Sequence, residues 1–270
     1  MNQFFYFSVA YSYKCFDTLI PLFFLDTILY LYLETFKSHL AKVNTMGKIS
    51  MGAEFLDTML HGGYDPDVVT TIYGPSGSGK TNICLLAAIR VASQGKKVLF
   101  MDTEGGISVE RIKQLCPTYK EILERIIFFN PVQFSEQKEL FEKLKEEVNE
   151  HIGLIVVDSI SMLYRLELGK PDGVYDANAS LGRQMAYLVE ISRKKKIPVL
   201  LTNQVYADFD DRDNVKMVGG DLLKYGSKCL IELQKLRDGR VLTLRKHRSL
   251  PEGLERKFKI VQEGVEEINS

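Results

Sequence analysis

A chain of 270 residues suits one large α/β domain or two small ones, and 45% apolar residues beside 35 cations and 35 anions fit a packed core rather than a disordered chain. A net charge of zero excludes attraction of nucleic acid by the field of the whole protein, so any DNA contact needs a local basic patch. Cys15, Cys84, Cys116 and Cys229 lie far apart with no C-x-x-C pair, which argues against a zinc site or a disulfide framework and points to reduced thiols in the cytoplasm.

Residues 1–45 hold 12 of the 28 aromatic residues and include the run "FDTLIPLFFLDTILYLYLETF". A membrane anchor or signal sequence is one reading. Asp17, Pro21 and Asp26 interrupt the apolar run, however, the basic flank is thin and no small-residue cleavage site is evident, so no membrane association is expected. Met46 opens "MGKISMGAEFLDTMLHGGYDPDVVTTIYG", which reads as a complete start to a domain. The expectation is therefore a hydrophobic extension over 1–45, with a mis-assigned translation start, and a working domain over 46–270. The intact mass of the protein taken from its native cell is expected to correspond to a chain beginning at Met46.

From Val68 onward short β-rich runs alternate with amphipathic helical patterns, the signature of βαβ units and a mostly parallel sheet. The predicted strands are 68–73, 96–102, 125–130, 153–159 and 197–204, with helices over "NICLLAAIRVAS", "FSEQKELFEKLKEEVNEH" and "ANASLGRQMAYLVEISRKKK". Their continuous apolar character implies that both faces of the sheet are covered. Beyond 204 a polar stretch runs to about Asp221. "SKCLIELQKL" and "VLTLRKHR" then flank the turn "RDGR", and Asp238-Gly239 signals a hairpin, so antiparallel strands are expected at one edge.

The first predicted strand runs into "YGPSGSGKTN" at 73–82, which fits G-x-x-x-x-G-K-[ST] between a strand and a helix. In that setting Gly74, Pro75, Ser76, Gly77, Ser78 and Gly79 form a phosphate-binding loop. The Lys80 ammonium faces the β- and γ-phosphates, and the Thr81 hydroxyl is placed to ligate Mg²⁺. In open parallel sheets ligands sit beyond the carboxyl ends of the strands. Three such ends carry polar residues. "LIVVDS" ends in Asp158, which suits support of Mg²⁺. "VLFMDTEGG" offers Asp102 and Glu104, either of which could polarise an attacking water. "LLTNQ" ends in Asn203 and Gln204, where an amide can sense the γ-phosphate. A helix cap or a satisfied edge group is the alternative for each taken alone.

"GPSGSGKT", "FMDTEGG", "LIVVDS" and "LLTNQV", in this order and spacing, resemble the ATPase core of the RecA family of recombinases over about residues 47–265. "ISMGAEFLDTMLHGG" is similar to the lead-in segment of the archaeal and eukaryotic branch. "RKHRSLPEG", with no helix-hairpin-helix domain before the core, is similar to its short archaeal members. The resemblance implies a RecA-like P-loop fold using ATP and Mg²⁺. Lys80 and Thr81 would bind phosphate and metal, Asp158 would support the metal, Glu104 would be the hydrolytic base and Gln204 the γ-phosphate sensor. Arg111 falls where such proteins stack an arginine on adenine, although an exposed helical arginine accounts for it equally well.

The two DNA-binding loops of the family correspond to "LELGKPDGVYDANASLG" and "ADFDDRDNVKMVGGD". The second carries Asp208, Asp210, Asp211 and Asp213, which repel phosphates, and only Lys170 and Tyr175 of the first suit a single-strand platform. Strand exchange is therefore not expected. A helper role in recombination and repair fits better, with sequence-independent binding of single-stranded or branched DNA and slow ATP turnover. "SRKKK" at 192–196 reads as a helix C-terminus with cations facing the dipole. Lys235, Arg237, Arg240, Arg245, Lys246, His247 and Arg248 cluster late in the chain. Of these, Arg245, Lys246 and Arg248 are candidates for DNA-backbone contact, and Lys246 and Arg248, as a K-x-R pair, for reaching a neighbouring copy's ATP site; a solvated edge strand protected by charge is the plain alternative. An ATP-gated module that binds the main recombinase or a repair nuclease, and a KaiC-like signalling ATPase, are the rival classes, and an oligomer is possible. No duplicated core supports the KaiC-like class.

Overall fold

In the computed structural model, which describes residues 47–169, 174–207 and 215–268, the five apolar runs predicted as strands all join one sheet. They are β1 (Val69–Tyr73), β2 (Lys97–Asp102), β3 (Ile126–Phe129), β4 (Ile152–Asp158) and β5 (Val199–Asn203). With β8 (Cys229–Leu236) they form the parallel order β3-β2-β4-β5-β1-β8. The meander continues antiparallel through β9 (Gly239–Lys246), β10 (Glu255–Val261) and β11 (Gly264–Glu267). A separate ribbon pairs β6 (Val205–Ala207) with β7 (Val215–Met217).

Alternation along the central strands feeds two cores. Val98 and Phe100 of β2, Leu154 and Val156 of β4 and Leu200 of β5 pack on one face, with α1 (Glu54–Met59), α2 (Lys80–Ser93), α3 (Val109–Leu115) and α4 (Tyr119–Leu123). Leu99, Met101, Ile155, Val157, Val199 and Leu201 point the other way, onto α5 (Phe134–Glu147), α6 (Met162–Leu168), α7 (Val174–Lys195) and α8 (Gly220–Gly226). Burial on both faces is why these strands read as unbroken apolar runs. Among the described residues no helix is long and apolar enough to cross a membrane.

Three details differ from the sequence reading. The β8–β9 loop is Arg237 and Asp238, because Gly239 already pairs with Leu236. Gly239 is needed for close approach instead: a Cβ there would lie 2.8 Å from the Phe258 carbonyl oxygen and 2.6 Å from Ile268 Cδ1. The first expected loop is mostly helical, since α6 runs to Leu168 and α7 starts at Val174. In the second, β7 takes up 215–217 and α8 begins at Gly220. Lys170 and Asp208, Asp210, Asp211 and Asp213 lie outside the described residues, as does the expected extension over 1–45.

Candidate nucleotide site

The carboxyl ends of β1, β2, β4 and β5 open on a cleft of about 640 Å³ lined by the phosphate loop, Glu104, Arg111, Arg165, Gln204 and Arg240, among others. The loop leaves β1 at Gly74, where a Cβ would lie 2.1 Å from the Leu233 carbonyl oxygen. It enters α2 at Gly79, whose φ of 105° is a left-handed value that a residue with a Cβ adopts only under strain. These glycines bring the loop's backbone N–H groups to the N-terminus of a 14-residue helix, a natural place for phosphate oxygens.

Lys80 is buried and donates from Nζ to the carbonyl oxygens of Gly74 at 2.9 Å and Pro75 at 3.0 Å. Burial holds its pKa below the ordinary lysine value, with Glu104 and Asp158 opposing that shift. Asp158 closes β4 and is buried. One of its oxygens accepts from Thr81 Oγ1 at 2.6 Å, and the other accepts from Thr202 Oγ1. Burial raises its pKa. The two threonine hydroxyls counter that, and the charges of Glu104 and Asp102 add to it. A hydroxyl and a carboxylate converging beside a lysine fit a hard divalent cation with phosphate ligands. The glycine cradle likewise fits the phosphates, so the residues present suit Mg²⁺ and ATP.

Of the two carboxylates read at the end of β2, only Glu104 lines the cleft. Asp102 is buried and accepts from the backbone N–H groups of Glu104, Gly105 and Ile107 at 3.0, 2.8 and 3.2 Å, so it shapes the turn that presents Glu104. Gln204 lies one residue past β5 and donates from Nε2 to Glu104 Oε1 at 2.8 Å. Its Oε1 accepts from Arg165 Nη1 at 3.2 Å. Asn203 turns away, donating to the Val218 carbonyl oxygen. Arg165 was missed by the sequence reading, since one arginine in the helical "MLYRLEL" carries no signal of its own.

Arg111, on α3, also borders the cleft. It donates from Nε to Asn82 Oδ1 at 2.8 Å, from Nη1 to Gln114 Oε1 and the Gln262 carbonyl oxygen, each at 2.9 Å, and from Nη2 to the Gly264 carbonyl oxygen at 3.3 Å. It therefore ties α3 to α2 and to the β10–β11 turn.

The late basic residues divide along the hairpin. Lys235 and Arg240, paired across β8 and β9, lie at the end of the sheet nearest the phosphate loop. Lys246 pairs with Leu230, which lies level with Thr71 of β1, toward the other end. Arg245 donates to Glu232 Oε2 at 2.6 Å, and Lys246 to the carbonyl oxygens of Lys224 and Ser227 at 2.6 and 2.8 Å. Arg248 forms ion pairs with Asp65 at 3.1 Å and Asp67 at 2.9 Å.

A parallel sheet with a glycine-rich loop after β1, a buried carboxylate bonded to Thr81 at the end of β4 and a glutamate after β2 defines a RecA-like P-loop ATPase core. Residues 42–268 match the Rad51 family model, and the chain belongs to that family. It is 44% identical over 218 residues to the DNA repair and recombination protein RadB of Methanobrevibacter smithii, covering 78% of this chain and 92% of that protein. The RadB of Methanocaldococcus jannaschii is 41% identical over 217 residues, covering 79% and 100%. The crystal structure of a RadB recombinase is similar with a TM-score of 0.71 and 38% identity, covering 82% of this chain and 100% of that one. Within the Rad51 family the chain thus groups with the RadB proteins.

Proposed function

We propose that the chain is an ATP-binding and DNA-binding accessory protein of homologous recombination and DNA repair, with slow ATP hydrolysis and no strand exchange of its own. Lys80, Thr81, Glu104 and Gln204 line one cleft, with Asp158 buried behind Thr81, and this arrangement carries the reading. Lys80 would leave the Gly74 and Pro75 carbonyls for the β- and γ-phosphates. Thr81 and Asp158 would hold Mg²⁺, which when bound neutralises phosphate charge. Glu104 serves as the base toward water once its bond to Gln204 is exchanged, and Arg165 keeps the Gln204 amide oriented while that exchange occurs. Gln204 begins the segment leading to β6, so a change at its amide reaches the ribbon β6–β7 directly.

DNA contact is assigned to Arg245, Lys246 and Arg248, which position a backbone without reading sequence. Their present partners favour a second reading. Each cation is engaged by its own chain, so Glu232, Asp65 and Asp67 neutralise part of the charge that Arg245 and Arg248 offer to DNA. An ATP-gated surface for the main recombinase or a repair nuclease does not depend on that charge. Fluorescence anisotropy with single-stranded, double-stranded and branched DNA, with and without ATP-Mg²⁺ over a salt series, separates the two. The expected result is binding that weakens steeply with salt, with a slope reduced by about 1 for each phosphate-contacting cation removed in Arg245→Ala and Arg248→Ala. No binding under any nucleotide condition would favour the protein-interaction module.

A further inference from the structure

The β8–β9 hairpin, inside the nine-stranded sheet, delivers two cations to the phosphate loop of the same chain. Lys235 on β8 and Arg240 on β9 are direct cross-strand partners. Like charges placed opposite each other on a strand pair repel, so an anion bound between them is favoured. Among the described residues no carboxylate lies within ion-pair distance of either one. Both side chains reach the loop. A Cβ on Gly77 would lie 2.9 Å from Lys235 Nζ, and one on Gly79 would lie 3.6 Å from Arg240 Nε. Arg240 lines the cleft, and its Nη2 donates to the Gly77 carbonyl oxygen at 3.3 Å.

The Nε–H of Arg240 is buried without a hydrogen-bond partner. A buried charged donor left unmade is costly, and a ligand oxygen accepting from it would remove that cost. This donor sits beside Gly79, where the loop N–H groups gather at the start of α2. An oxygen bound there could accept from the loop and from the guanidinium together, and a fork of donors suits phosphate oxygens better than a point charge does.

We infer that Arg240, with Lys235 behind it, is a phosphate ligand supplied by the same chain to the polyphosphate tail of a bound nucleoside triphosphate. The hairpin β8–β9 thereby registers whether the cleft is loaded. The inference rests on the proposed reading of that cleft as an ATP site and adds a contact from outside the loop motif. Because Arg245 and Lys246 continue the same strand, nucleotide binding and the distant end of β9 share one rigid element.

Isothermal titration calorimetry on the full chain with ATP, ADP and AMP, together with melting of the nucleotide-free protein, tests the assignment. Arg240→Ala is expected to weaken ATP and ADP binding about tenfold, the loss of one charge-assisted contact, while AMP binding changes less. Arg240→Lys restores part of the loss, and Lys235→Ala gives a smaller loss than Arg240→Ala. Without nucleotide Arg240→Lys should melt like the wild type and the two alanine variants at or slightly above it, since the repulsion is relieved; a destabilised Arg240→Ala would leave Arg240→Lys and Arg240→Gln to decide. Wild-type ATP affinity in Arg240→Ala and Arg240→Gln, beside a lost affinity in Lys80→Ala, overturns this inference alone. Equal losses for AMP and ATP with no rescue by lysine also overturn it, because they mark a loop that has merely loosened. A wild-type chain that binds no nucleotide overturns the ATP-site reading as well.

Discussion

Replacing Lys80 with alanine is expected to weaken ATP binding by about 100-fold or more, the consequence of removing a charged contact worth about 3 kcal/mol in a partly desolvated cleft. The ammonium is held by the carbonyl oxygens of Gly74 and Pro75, so it faces the loop. Phosphate oxygens are stronger acceptors than these carbonyls, and the exchange favours the loaded state. The pH dependence gives a second readout. Burial lowers the Lys80 pKa, so the ammonium is lost at a lower pH than for an ordinary lysine. Bound phosphate favours the charged form and opposes that loss. ATP affinity of the wild type should therefore fall as pH rises through the lowered value, with proton uptake on binding in that range, and this limb should vanish in Lys80→Ala. Calorimetry in buffers of different ionisation enthalpy measures both. An affinity within a fewfold of wild type at neutral pH would remove Lys80 from the phosphate site.

Most of this site was legible because its residues sit at fixed places on elements that announce themselves. Asp158 follows four apolar residues, and the loop lies between a β-rich run and an amphipathic helix, so strand ends could be found without coordinates. The roles of Asp102 and Glu104 could not be told apart that way. Which of the two caps the turn depends on the path of four backbone N–H groups, which spacing alone does not specify. Arg165 was invisible because its partner Gln204 lies 39 residues away. Arg240 was counted with the basic cluster, and what separates it from Lys246 is its cross-strand register. A slip of a single residue in that register would turn its side chain to the opposite face of the sheet. The ion pairs of Arg248 with Asp65 and Asp67 join segments with no shared motif, so the cluster read as free charge when it is partly neutralised.

Asp158→Asn is expected to stabilise the metal-free chain while reducing Mg²⁺-dependent ATP hydrolysis by about 100-fold, as loss of several kcal/mol of metal support requires. The carboxyl is buried, and its pKa is raised above the ordinary value. The folded chain therefore binds a proton here more readily than the unfolded chain does. Stability from this group is complete below the unfolded pKa and is lost as pH rises through the folded one. At neutral pH the ionised carboxylate accordingly costs stability in the absence of metal. An asparagine removes the charge. Its amide oxygen still accepts from one of the Thr81 and Thr202 hydroxyls, and its amide nitrogen donates to the other, which a hydroxyl can accept. Scanning calorimetry in chelator at pH 7 should show Tm higher by about 2–4 °C, the change that about 1 kcal/mol makes in a domain of this size. The difference should close as pH is lowered through the raised pKa, where the wild-type carboxyl becomes neutral too. Mg²⁺ with a non-hydrolysable ATP analogue should raise the wild-type Tm more than that of the variant, because only the carboxylate gains a counter-charge. A lower Tm for Asp158→Asn in chelator would mean that its hydrogen bonds to the two threonines outweigh the cost of burying the charge, and that the site is not held ready for a cation.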